Sequence, residues 1–150
     1  MIEAVIIENL KKIILKNNIR FNLYEELKSW NFNANKQKDG YNIKFENGEY
    51  YLYKIDMGMG RADDFRKVEN EYELIYLVIY RITLTIVEYK LLKYQSDFKI
   101  FEFQEELLKS VNDKWWRSAK VYHEEIKKFS NSEETFHKIL PKNIKNMLIG

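Results

Sequence analysis

The chain has no cysteine, one proline and five glycines among its 150 residues. Without cysteine it has no disulfide framework, no thiolate nucleophile and no zinc-ribbon site, and such a composition suits a reducing compartment, so the expected location is the cytoplasm. So little proline and glycine excludes collagen-like and low-complexity architectures. An excess of one charge is missing too: 25 basic against 23 acidic residues leave a formal net charge of +2, far from the basic footprint of a dedicated nucleic-acid binder. Nucleic acid is therefore a disfavoured partner. No uncharged apolar run approaches the roughly 18 residues of a membrane span, so no membrane partner is expected. The first residues, with Glu3 and Glu8 inside their apolar run, lack the basic leader and unbroken apolar core of a signal peptide.

What remains is a globular composition, with 45% hydrophobic, 15% aromatic and 32% charged residues. A disordered chain would have too little apolar surface to offset its conformational entropy. The length suits one domain over 1–150, which can remove roughly two-thirds of its unfolded surface from water.

Ile2, Val5, Ile6, Leu10, Ile13 and Ile14 recur at three- and four-residue spacing, which predicts an amphipathic helix ended by Asn17-Asn18. A short helical turn over Leu23 to Trp30 follows with Asn22 as its cap, then a polar loop from Asn31 to Asp39. Tyr41 to Asp56 reads as a β-hairpin, because Asn47-Gly48 supplies the two positive-φ positions of a type I′ turn. Counting outward pairs Phe45 with Tyr50, Ile43 with Leu52 and Tyr41 with Lys54, so Ile43, Phe45, Tyr50 and Leu52 share the face expected to meet helices. The other face carries Asn42, Lys44, Tyr51 and Tyr53. Arg61 to Val68 is a candidate third strand.

Asn70 and Glu73 match the reciprocal capping pattern, opening a central helix expected to run to about Tyr94. Ser96 or Asp97 can cap a helix carrying Phe98, Phe101, Leu107 and Leu108, and Asp113 can cap another. In that last long helix Trp115, Ala119, Tyr122, Ile126 and Phe129 form an apolar stripe. A short helix from Ser132 to Leu140 would close the chain. The expected fold is α+β: an N-terminal helix, an antiparallel β-hairpin or small three-stranded sheet, then a bundle of three to four helices.

Chemistry-bearing patterns are sparse. His123 and His137 have no second ligand at metal-binding spacing and no nucleophile motif beside them, so both read as surface residues. Gly58-Met59-Gly60 holds only half a dinucleotide fingerprint. The neighbouring carboxylates Glu105-Glu106 and Glu124-Glu125 read as solvated helix faces. Catalytic, cofactor-binding and metal-binding residues are therefore all expected to be absent. Trp116 lies about 100° round its helix from Trp115 and could cover a partner, another element or a lysine stem.

Tyr76, Thr83, Asp97-Phe98-Lys99, Phe103, Glu106-Leu107, Trp115 and Glu124-Glu125-Ile126 resemble the pattern of a bacterial polymorphic-toxin immunity family, the one numbered sixty-three. That pattern has a Tyr-aromatic-led helix with an inward Thr, an Asp-Phe-basic signature with a downstream Phe, then a Trp and a Glu-Ile pair. The match covers about two-fifths of the chain. It departs where Ile100 replaces a second basic residue and Leu77 an expected Trp. The resemblance implies a cytoplasmic protein that binds and neutralises a cognate toxin domain without catalysis. The matched residues look structural, and the expected partner-binding residues are Tyr51, Tyr53, Arg61, Asp63 and Asp64, on the hairpin's outer face and the loop after it. The sequence leaves a homodimer open. Two other readings stand beside this one. A small nucleic-acid or accessory module would stack bases on the hairpin tyrosines. An enzyme would need a cleft holding a perturbed carboxylate.

Overall fold

The computed structural model describes residues 2–32, 38–56, 61–90 and 97–129, with the side chains of all but 61–66, 90, 97 and 98. The order is α1 (Ile2–Lys16), α2 (Leu23–Leu27), β1 (Trp30–Asn31), β2 (Gly40–Glu46), β3 (Glu49–Asp56), β4 (Arg61–Val68), α3 (Glu71–Lys90), α4 (Asp97–Lys109) and α5 (Asp113–Lys128). The fold is α+β: an N-terminal helix, a four-stranded mixed sheet in the order β1-β2-β3-β4, then helices. The expected terminal helix over Ser132 to Leu140 lies outside the described residues, as do His137 and the Gly58-Met59-Gly60 connection.

α1 buries Ile6, Leu10 and Ile13. It ends where Asn18 takes a positive φ of 52°. The Ile19 amide then donates to the Ile14 carbonyl at 3.0 Å and the Asn18 amide to that of Leu15 at 3.3 Å, the paired bonds that satisfy the last carbonyls of a helix. α2 is capped by Asn22, whose side chain accepts from the Glu25 amide. Trp30, expected in this turn, instead starts β1, a two-residue strand running parallel to β2. At this crossing Gly40 has φ +99°, and a Cβ there would lie 2.3 Å from the Ser29 carbonyl oxygen. Only glycine fits that approach.

The hairpin forms in the expected register, with Phe45 opposite Tyr50, Ile43 opposite Leu52 and Tyr41 opposite Lys54. Asn47 and Gly48 adopt φ values of 54° and 78°, as a type I′ turn requires. β4 is the added strand, antiparallel to β3. Ile43 and Leu52 join the core, but Phe45 is 59% exposed. It sits two positions nearer the turn, and its ring instead meets that of Tyr50 at 4.7 Å.

α3 opens with the Asn70 side chain accepting from the Glu73 amide at 2.8 Å. Leu74, Val78, Ile79, Tyr80, Ile82, Leu84 and Ile86 are all buried. α3 is thus apolar around most of its girth, and it touches α1, α4, β3 and β4, which makes it the centre of the layer. The expected continuation to about Tyr94 lies outside the described residues. The cap of α5 is Asn112 rather than Asp113. Asn112 keeps an extended backbone (φ −159°, ψ 113°) and accepts from the Lys114 and Trp115 amides, whereas Asp113 is already helical and places its charge in the first turn. Phe129, expected on the apolar stripe, is the C-cap residue and is exposed.

Candidate functional site

Among the expected partner-binding residues, the backbone register sets Arg61 opposite Asp56 and Asp63 opposite Lys54. Between the Leu52–Arg66 and Lys54–Asp63 pairs, β3 advances two residues and β4 three, so β4 carries a bulge where Asp64 and Phe65 stand against the single Tyr53. The five residues therefore lie on adjacent strands, but Arg61 and Asp63 pair with Asp56 and Lys54, which alternate with Tyr53 and Tyr51 along β3, so the register does not gather the five on one face. Arg61, Asp63 and Asp64 belong to a strand rather than a loop. Charged residues on the last strand of a sheet also discourage pairing with another chain, which accounts for part of this composition without any ligand.

Part of the hairpin's second face is covered. Tyr53 is 3% exposed, and Asn42 and Ile55 beside it are buried. Asn42 is held by the Asn31 side-chain amide at 2.8 Å and by the backbone of Lys38 and Gly40. Tyr51 is half-buried, and its hydroxyl donates to Glu49 at 2.5 Å. Lys67 pairs with Glu49 at 2.7 Å, and the Lys44 ammonium lies 5.4 Å from the Tyr51 ring centre. Hydrogen bonds from Lys67 and then Tyr51 hold the Glu49 carboxyl below the usual range, and the bond to Glu49 raises the Tyr51 phenol. Tyr53 is therefore unsuited to be a contact anchor, while Tyr51 remains partly accessible at the margin of a charged cluster.

The least expected feature lies between the helices. His123, read from the sequence as a surface residue, is 0% exposed. Its Nδ1 is 2.7 Å from Glu105 Oε2 and its Nε2 is 2.8 Å from the Tyr80 hydroxyl. Its ring stacks on Phe101 with centroids 3.7 Å apart. Glu105, expected on a solvated face, is therefore drawn inward by the imidazole. Carboxylate oxygens only accept, so the network assigns the proton to Nδ1 and leaves Nε2 to accept from Tyr80. Desolvation pushes the His123 pKa down, outweighing the upward pull of Glu105, and it raises that of Tyr80 well above the usual phenol. Beside this triad, Gln104 donates to the Tyr80 carbonyl and the Thr83 hydroxyl. The missed signal was spacing. Ala119, Tyr122, His123 and Ile126 follow the i, i+3, i+4, i+7 pattern, so His123 belongs to the broad buried face of α5.

Trp116, the second indole of its pair, is half-buried, with the Lys109 and Lys120 ammonium groups 4.4 and 5.4 Å from its ring. Of the resemblance residues, Thr83 and Trp115 are buried as expected, and Asp97 is the first residue of α4. Phe103 instead reaches the surface.

Clefts open between the described elements. One, of about 310 Å³, lies between α1, α3 and α4 and is lined by Ile19, Ile86, Phe103 and Leu107, with Asn17 and Glu106 at its margin. Another, of about 340 Å³, lies where the hairpin meets the starts of α1 and α3 and is lined by Ile2, Phe32, Phe45 and Tyr50, with Glu3 and Glu71. Neither is lined by His123, Glu105 or Tyr80. No described helix is long and apolar enough to cross a membrane, and the described residues hold no cluster of three metal-ligating side chains. Comparisons with protein families, curated proteins and solved structures return no match.

Proposed function

We propose that this protein is a bacterial immunity protein, acting in the cytoplasm, that neutralises a cognate toxin by occupying its surface and leaves all catalysis to that target. The observation that carries this reading is the set of large apolar side chains standing outside rigid elements. Tyr24 on α2, Phe45 on β2, and Tyr72 and Tyr89 on α3 are all exposed. Aromatic anchors on preorganised elements give tight interfaces, because little conformational freedom is lost when they are covered. The mixed charge around them suits steering and partner choice rather than phosphate binding.

The immunity-family resemblance supports the same reading through the residues quoted above and through an element order in which the hairpin precedes α3, α4 and α5. The nucleic-acid alternative draws less support, since it requires two hairpin tyrosines with open faces. Tyr53 is buried and the Tyr51 ring has an ammonium over it.

Coexpression with the product of the adjacent upstream gene tests the proposal. Restored growth together with co-purification supports it. A neighbour that is harmless alone and does not bind the chain overturns it.

A further inference from the structure

The cleft at the hairpin end combines three features. Its floor is aromatic: Phe45 is 59% exposed although its strand neighbour on the same face, Ile43, is buried, and the tilted Phe45 and Tyr50 rings lie 4.7 Å apart. Tyr72, next to the lining residue Glu71, leaves a further 51% of its surface exposed. Its charge has one sign: the described lining includes the carboxylates of Glu3 and Glu71 and no basic side chain. Among the described residues neither carboxylate forms an ion pair. The Glu71 carboxylate accepts one long hydrogen bond among the described residues, at 3.5 Å, from the Tyr50 hydroxyl.

The position of these carboxylates explains how they persist unpaired. Glu3 lies in the first turn of α1 and Glu71 in the first turn of α3. There the unsatisfied backbone amides favour negative charge, so the chain needs no cation of its own at either place. Partial desolvation and then Glu71 raise the Tyr50 phenol, consistent with a negative field over the ring. An aromatic floor with two carboxylates at its edge suits an arginine or lysine whose stem lies on the rings and whose head reaches the acids. Arginine and aromatic residues also dominate the energetics of protein interfaces.

We propose that this cleft, rather than the strand face carrying Tyr51, receives the toxin, and that its occupant is a toxin loop presenting arginine or lysine beside an apolar side chain. The assignment rests on the immunity reading. The cleft lies at the start of α1, and Leu15, 80% exposed, lies thirteen residues along that helix from Ile2. At about 1.5 Å per residue it is roughly 20 Å away and serves as a remote control.

The test is calorimetric titration of the toxin domain recovered by coexpression into the wild-type chain and into Phe45→Ala, Glu3→Gln/Glu71→Gln and Leu15→Ala, each checked for folding by circular dichroism. Phe45→Ala is expected to weaken binding at least about thirtyfold, the size expected of an interface anchor. The double glutamine variant is expected to weaken it by about tenfold or more and to flatten its salt dependence, while Leu15→Ala stays within about threefold of wild type. Wild-type binding that the cleft variants leave unchanged overturns the cleft and spares the immunity reading. A wild-type chain that does not bind the toxin overturns both. A dimer of the chain alone that Phe45→Ala dissociates assigns the cleft to a second copy and also overturns the proposal.

Discussion

The Tyr80 hydroxyl on α3 and Nε2 of His123 on α5 lie 2.8 Å apart, and both residues are essentially sealed from solvent. α4 supplies the other members of the network, Glu105 on Nδ1 and Phe101 on the imidazole face. Three helices are thus joined through one ring. Such a network specifies how the layer is arranged only while every member is satisfied.

Protonation strains that arrangement. Burial lowers the folded-state pKa of His123 below its ordinary value, so the unfolded chain takes up the proton first as pH falls. The neutral form therefore contributes stability that is full above about pH 6.5 and declines as pH drops below it toward the folded pKa. His123→Gln retains a donor for Glu105 and an acceptor for Tyr80 without titrating. Urea unfolding at pH 7.5 and 5.5 should show a smaller acid loss for this variant than for wild type. Equal losses would remove His123 as a source of acid sensitivity.

Gly40 and Gly48 both have positive φ, but only Gly40 faces a backbone oxygen. Gly48→Ala should cost about 1 kcal/mol from the left-handed backbone alone. Gly40→Ala should cost at least about 2 kcal/mol, because the clash with Ser29 adds to that term. Denaturant midpoints measure the difference, and equal costs would contradict the close approach of β2 to the end of α2.

At the start of α5, Asn112→Ala removes an acceptor from two amides. The expected loss is about 1 kcal/mol, within the usual capping range of about 0.5–2 kcal/mol. Asp113→Ala should cost less, about 0.5 kcal/mol, since only a favourable dipole contact is lost. The reverse order in thermal unfolding would restore Asp113 as the cap.

Tyr53→Ala and Tyr51→Ala should separate folding from surface effects. Removing the buried Tyr53 side chain is expected to cost about 3–5 kcal/mol, in line with other large core truncations. Tyr51→Ala, at a half-exposed position held by Glu49, should cost about 1 kcal/mol or less. Similar melting temperatures for the two variants would show that Tyr53 is not part of the interior.

The hairpin was legible because its turn demands two positive-φ residues, and Asn47-Gly48 provides them. Alternation then set every cross-strand pair. The N-caps Asn22 and Asn70 and the apolar girth of α3 were legible for similarly local reasons. β1 was not, since two residues pairing in parallel leave no turn signature or alternation. The exposures of Phe45 and Tyr53 escaped as well, because period-two patterning gives the face of a strand but not how far the layer above it extends. His123 was missed where a narrow stripe was assumed for α5. The clefts arise between elements distant in sequence, so no local pattern marks them.

The most direct measurement of the central claim is sedimentation of the purified chain with the product of the adjacent upstream gene. The account predicts a stable complex of the two proteins whose formation abolishes the toxic activity. Independent sedimentation of the two proteins, with toxicity undiminished by excess of this chain, would contradict it.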